Sequence, residues 1–325
     1  MWPVSDRPLV LLAPMDGITD PPFRRFIKRV SPRTIVFSEF LSSTNVARKP
    51  ALAKKLFTIY EDERPVVIQL YGKDPDHFRL AAVLAEQEGA AGIDVNMGCP
   101  AKKVVAHRHG SALMKEIDLA CRIVEEIKKA VRVPVTVKTR LGWEDHRNLI
   151  PFARLLQDAG LDAITIHGRT YSQKFEGEAD WEPIYALKEA LQIPVFGNGD
   201  ICRVETARAK LKNLDGVMVG RGAVADPWLL RAIGDAFDHR DPVHSYDFSQ
   251  KLPYWKEFAA MSIGHYDSEL HACRAFRKFL VRLLRDLGLG AEYRTPSVRV
   301  ESLAQIHRML DLYAQASTAT PAAVH

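Results

Sequence analysis

Short apolar runs rich in Val and Ile recur along the first two thirds of the chain, each followed by a longer stretch of helical periodicity. They begin near Val10, Thr34, Pro65, Gly92, Pro134, Ala163, Pro194 and Gly216. Runs such as Val10 to Met15, Val66 to Tyr71 and Val135 to Thr139 lack the polar alternation of a strand with one wet face. That suits parallel strands covered on both sides. Eight such units, spaced roughly 20 to 40 residues apart, leave room for one helix between successive strands and predict a (β/α)8 TIM barrel. A doubly wound open sheet shares the alternation, but no GxGxxG follows the first run and nothing marks a reversal of strand order, so the closed barrel is preferred.

The pattern changes after Asp226-Pro227, where the last barrel helix is expected. The polar stretch from about Asp238 to Ser249 reads as a linker, and beyond it the sequence becomes helical. Ser268 is placed to cap a helix running to about Leu287, with Phe276, Leu280, Leu283 and Leu287 on one face and Arg274, Lys278, Arg282 and Arg285 on the other. A second helix is expected from about Ser297 to Ala314, and the small, polar residues Gln315 to His325 read as a disordered tail. The division expected is a barrel over residues 1–240, a small all-helical C-terminal domain over 241–315 and a tail over 316–325.

Composition narrows the class without naming it. With 47% hydrophobic and 26% charged residues in 325, the chain has the make-up of a soluble globular protein. No apolar run approaches the roughly 20 residues of a membrane span, and Met1 to Pro8 do not resemble a signal peptide. The cytoplasm is therefore the expected location, and no membrane or obligate protein partner is expected for what reads as a monomer. Cys99, Cys121, Cys202 and Cys273 lie far apart, without zinc spacing. A net charge of +5 suits a polyanionic partner and an ordinary basic enzyme equally.

In such a barrel chemistry is expected at the C-terminal ends of the strands. Those ends read Ala13-Pro14-Met15-Asp16-Gly17, Ser38-Glu39-Phe40, Gln69-Leu70-Tyr71-Gly72, Asn96-Met97-Gly98-Cys99-Pro100, Lys138-Thr139-Arg140, His167-Gly168-Arg169-Thr170, Gly197-Asn198-Gly199-Asp200 and Gly220-Arg221-Gly222. Glycines at the seventh and eighth ends suggest a phosphate pocket that Arg221 can strengthen, although taken alone they also suit tight turns. Lys138 at a strand end needs a negative or accepting partner. Glu39 is one candidate and the N1/O2 edge of a flavin another. His167 alone could be a satisfied core residue. Gln69 offers both a donor and an acceptor. Cys99 lies on a loop, where a thiol with an ordinary pKa near 8.5 is an available acid, whereas Cys121, Cys202 and Cys273 read as packing or helix-start residues.

Taken together, these motifs resemble the tRNA-dihydrouridine synthase family. The resemblance runs in order from about residue 10 to 225, through Ala13-Pro14-Met15, Asn96 to Lys103, Lys138 to Trp143, His167 to Thr170, Gln173, Gly177, Ala179-Asp180-Trp181, Gly197 to Ile201 and Gly220-Arg221-Gly222. A weaker match at Arg277-Lys278 extends it to about residue 310. It implies FMN held by Pro14, Met15, Gln69, Lys138, His167, Asn198, Gly199, Asp200, Gly220 and Arg221, with NADPH as reductant. It further implies that a flipped tRNA uridine receives hydride at C6 and a proton at C5 from Cys99, with Asn96 and Arg140 on the uracil and Arg274, Arg277, Lys278 and Arg282 on the RNA. The wording Asn96 to Lys103 is nearer the bacterial B-type branch.

One stretch departs from the family pattern. Members commonly carry Asn-Gly-x-Gly or a similar small run shortly after the cysteine, where this chain has His107-Arg108-His109-Gly110. The change stiffens the loop and adds positive charge beside Lys102 and Lys103. Two other readings use the same residues: an FMN barrel acting on a free pyrimidine or enone, and an RNA-binding protein on a catalytically silent barrel.

Overall fold

A computed structural model describes residues 7–240 and 246–319. Eight parallel strands close in sequence order: β1 Leu9–Leu12, β2 Ile35–Ser42, β3 Val66–Tyr71, β4 Gly92–Asn96, β5 Val135–Arg140, β6 Ala163–His167, β7 Val195–Asn198 and β8 Gly216–Val219. β1 pairs with β8 from Leu9↔Gly216 to Leu12↔Val219, which seals the barrel. Each strand begins within one residue of the start its apolar run predicts.

Residues on the outer faces of the strands, such as Val10, Leu12, Val66, Ile68, Ile93, Val95, Val135 and Val137, pack with the helices into the main core. The inward set begins as a separate apolar plug of Leu11, Ile35, Phe37, Val67, Ala163, Phe196 and Met218. Toward the strands' C-terminal ends the inward positions turn polar, at Gln69, Asp94, Thr136, Lys138 and Asn198. The barrel is thus closed at one end and chemically equipped at the other. A register shift in β2 between Phe37 and Phe40 re-aims Phe40 toward the mouth.

The helices Phe248–His265 and Glu269–Asp286 pack against the first barrel helix, Pro21–Val30, and Leu303–Ala319 packs against those two. Phe26 stacks on Phe258 at 4.8 Å and Phe23 on Phe279 at 5.4 Å, within a core continuous with the barrel's. Polar contacts finish the junction. Tyr266 donates to Asp20 Oδ2 at 2.6 Å, Asp20 caps the barrel helix through Phe23 N, and the Lys278 ammonium donates to the Gly17 carbonyl on the β1 loop.

Several boundaries differ from expectation. Ser268 caps its helix as predicted, accepting from His271 N. The linker is shorter, because Asp247 and Gln250 form a reciprocal cap that starts a helix at Phe248; residues 241–245 of the expected linker lie outside the described residues. The last long helix starts at Leu303 rather than Ser297, which instead ends a short helix, Arg294–Ser297. Ser302 accepts from Gln305 N, and Gln305 accepts from Glu301 N, so Ser302-x-x-Gln305 is the true start signal. That helix runs on to Ala319, so Gln315 to Ala319 are helical; the rest of the expected tail, 320–325, lies outside the described residues.

Candidate active site

The strand ends surround a cavity of about 620 Å³ lined by Pro14, Met15, Asn96, Cys99, Lys138, Arg140, His167, Asn198, Gly199, Asp200, Gly220 and Arg221, among others. Of the residues predicted from the strand ends to hold cofactor or substrate, Gln69 alone does not line it. Its side chain is fully buried beneath, donating to Asp94 Oδ2 at 2.6 Å and accepting from Asn96 Nδ2 at 2.8 Å. Asp94 also accepts from Thr136 Oγ1 at 2.5 Å.

Lys138 rises from β5 at the cavity floor. Its nearest protein acceptor is Asn198 Oδ1 at 3.3 Å, and no carboxylate lies within ion-pair distance of it among the described residues. Glu39 is not its partner, because that carboxylate accepts from Gly17 N instead. Burial pulls the Lys138 ammonium down to about 8, aided by Arg140 and opposed by Asp94. Burial raises Asp94 to about 6 against the hydrogen bonds from Gln69 and Thr136. Both charges are strained by lack of solvent.

Cys99 follows β4 on a loop that Asn96 organises, its Oδ1 accepting from Gly98 N at 3.2 Å and Cys99 N at 3.0 Å. Burial pushes the thiol up, and the Asp16 carboxylate adds to the rise, while a backbone hydrogen bond, Arg140 and Lys138 oppose it. The thiol is therefore protonated near neutral pH. Arg140 donates from Nε to Gly98 O at 2.8 Å and from Nη1 to Thr170 O and Lys174 O. Asn96 and Arg140 thus tie loops together as well as bordering the cavity. Burial, with Lys138, Arg140 and Arg169 nearby, depresses His167 strongly, so its ring is neutral.

Asp200 is a hub. Its carboxylate accepts from Arg169 Nη2 at 2.7 Å, Ala179 N at 2.8 Å and Arg221 Nη2 at 3.1 Å. Although burial pushes it up, those bonds hold it below the ordinary carboxylate range. Its geometry suits aiming the two arginines. Gly199, at φ +133°, has no room for a Cβ, which would sit 2.6 Å from Ala179 Cβ. Gly220 is different: a Cβ there would meet nothing closer than Ala13 Cβ at 3.5 Å, so the space in front of it belongs to the cavity.

A family model described as dihydrouridine synthase matches residues 11–314. The chain belongs to the dihydrouridine synthase family. It is 42% identical over 301 residues to a probable tRNA-dihydrouridine synthase of Rhodobacter capsulatus, covering 91% of this chain and 90% of that one. It is 37% identical to probable tRNA-dihydrouridine synthase 1 of Synechocystis, covering 93% and 85%. Identity to tRNA-dihydrouridine synthase B of Pseudomonas aeruginosa is 36%, covering 95% and 91%, in keeping with a resemblance to the B-type branch.

Membership of the dihydrouridine synthases leaves individual residues to the geometry, which adds several that sequence reading missed. Asp94 carries the buried negative charge beneath Lys138; its signal was a lone acid inside an apolar strand. Arg169, 2% exposed, links His167, Asp200 and the carbonyls of Glu176 and Gly177. Phe175 is 59% exposed at the cavity rim, with the Arg140 guanidinium 5.4 Å from its ring centre. Cys202, read as a helix-start residue, is exposed and also borders the cavity. On the helix Glu269–Asp286 the basic residues divide. Arg277 donates twice to Val300 O, Arg282 pairs with Asp286 at 2.9 Å and Lys278 holds Gly17, while Arg274 and Arg285 are exposed. No helix among the described residues is long and apolar enough to cross a membrane.

Proposed function

We propose that this protein reduces selected uridines of tRNA to 5,6-dihydrouridine, with FMN bound in the cavity, NADPH as reductant and Cys99 as the proton donor. One observation carries the reading: a thiol held protonated shares a cavity with Lys138, an ammonium that has a single amide acceptor among the described residues. A partly buried cation of that kind fits a site built for an electron-rich acceptor.

The cavity fits FMN on three counts: a volume within the range of cofactor sites, the under-partnered Lys138, and the open space before Gly220. Pro14, Met15, Lys138, His167, Asn198, Gly199, Gly220 and Arg221 would hold it, with Gln69 and Asp200 acting through Asn96 and Arg221. When bound, reduced FMN supplies the hydride that uracil receives at C6. The protein's part is to orient and protonate. Cys99 Sγ delivers a proton to C5, and Arg140 and Lys138 provide positive charge for the developing enolate at O4. His167, being neutral, adds hydrogen bonding without further like charge. Arg274 and Arg285 are the cations of the C-terminal helix best placed for RNA phosphates.

The test uses tRNA from cells lacking dihydrouridine synthases. Purified protein should release FMN, and its reduced form should be reoxidised by that tRNA with dihydrouridine appearing in the RNA. Reoxidation by free uridine or an enone, with none by tRNA, would favour a small-molecule oxidoreductase instead.

A further inference from the structure

The segment between Cys99 and Glu116 leaves the barrel and returns against its own start. Its outgoing end is fixed by the Asn96 amide and by Arg140 Nε on Gly98 O. On return, Ser111 N donates to Cys99 O at 3.2 Å, and a Cβ at Gly110, φ +59°, would sit 3.0 Å from Cys99 O and 3.2 Å from Cys99 Cβ. Gly110 and Ser111 are therefore packed against the main chain of Cys99, so a shift of the returning end is passed to it through them.

Two cationic contacts hold this returning end. Arg108 donates from Nε to Glu116 Oε1 at 2.6 Å and from Nη2 to Oε2, a two-pronged pair. Lys115 lies 3.6 Å from the ring centre of Trp143, on the loop after β5. Arg108 adopts φ +62°, a region that side chains other than glycine rarely occupy. A non-glycine residue persists there only where its surroundings over-determine it. The surroundings here are the end of the short helix Lys102–Ala106, where Arg108 N donates to Val105 O at 2.9 Å and His109 N to Val104 O at 3.2 Å; the Glu116 carboxylate adds a side-chain contact that a glycine could not reach.

We infer that Arg108 and Glu116 form a latch that positions Cys99 by closing the loop that carries it. Arg108 is a positioning residue: it touches neither cavity nor reacting atoms, and it acts through the Gly110–Ser111 contact with Cys99. The inference rests on Cys99 being the reactive thiol for its functional meaning, but the loop's closure is measurable without turnover.

The experiment is alkylation of Cys99 in the FMN-loaded protein by iodoacetamide, followed by mass spectrometry of its peptide, alongside steady-state kinetics with tRNA. Arg108→Ala and Glu116→Gln should each speed alkylation about two- to fivefold, the range one exposed ion pair can govern. They should lower kcat by a similar factor with little change in KM. Arg108→Gly should do the same while leaving the melting temperature unchanged or higher, because it removes the latch together with the left-handed strain. The exchange Arg108→Glu with Glu116→Arg should restore both readouts. Wild-type alkylation in all three single variants overturns the latch. A raised KM for tRNA with unchanged alkylation, made worse by the exchange, also overturns it and assigns Arg108 to an RNA phosphate. Faster alkylation with unchanged kcat supports the latch and counts against Cys99 as the proton donor.

Discussion

Replacing Lys138 by methionine separates what this side chain does to the fold from what it does at the mouth. Burial lowers its ammonium from 10.5 to about 8. At about 1.4 kcal/mol per pH unit, keeping it charged at pH 7 costs the cofactor-free fold up to about 3 kcal/mol. Because the ammonium also borders an open cavity, solvent reduces that cost, and a net gain of about 1–2 kcal/mol is expected for Lys138→Met at pH 7. The sign of the pH dependence follows. A lysine depressed in the folded state destabilises most below its folded pKa and ceases to do so above its unfolded one. The variant's advantage should therefore be full at pH 7 and shrink as pH rises from about 8 toward 10.5. Urea unfolding of cofactor-free wild type and variant across that range measures it. FMN titration of the same samples should show affinity lost by roughly 10- to 100-fold, the worth of a charge-assisted hydrogen bond. A less stable variant at pH 7, or a gap that stays constant into alkali, would refute the reasoning that Lys138 is a destabilising residue retained for a ligand.

Cys99→Ala should accept hydride from NADPH at a near-normal rate yet reoxidise with tRNA about 10² to 10⁴ times more slowly, as loss of a positioned acid requires; stopped-flow flavin absorbance checks both halves, with Cys121→Ala as a silent control. Reversing the charges of Arg274 and Arg285 should raise KM for tRNA and flatten its salt dependence, leaving NADPH-driven flavin reduction unchanged. The same change at Arg277 should instead lower the melting temperature, since its guanidinium is tied to Val300 O. Phe258→Ala removes a ring within 5 Å of both Phe26 and Phe279 and should destabilise the protein by about 3–5 kcal/mol in urea unfolding.

The chain determined its barrel almost unaided. Eight β-rich runs, each bounded by turns and followed by a helix-length stretch, admit few topologies, and where the chain packs both faces of a strand the run itself marks the strand. The same logic pointed to Cys99, Lys138 and His167, all of which border the cavity, because in this architecture the inward positions near the strands' C-terminal ends and the loops that follow them form the mouth. Local caps were legible too: Ser268 was, as a one-way cap, and Ser302-x-x-Gln305 could have been.

Tertiary structure alone decided how these groups are used. Strand alternation places Asp94 under Lys138, and only closure of β4 against β5 puts the two charges in one low-dielectric layer. Gln69, Asp200 and Arg277 carry the right chemistry for ligands, yet each meets protein partners 21 to 31 residues away in sequence, and hydrogen-bonding capacity already used by the protein is less free for a ligand. The Arg108 backbone shows the same division. Its left-handed φ is set locally, by the end of the helix Lys102–Ala106, but its carboxylate partner comes from a loop that returns upon Cys99. Periodicity is a local property and fixes elements, whereas partner choice depends on contacts between residues distant in sequence, which exist only once the barrel has closed.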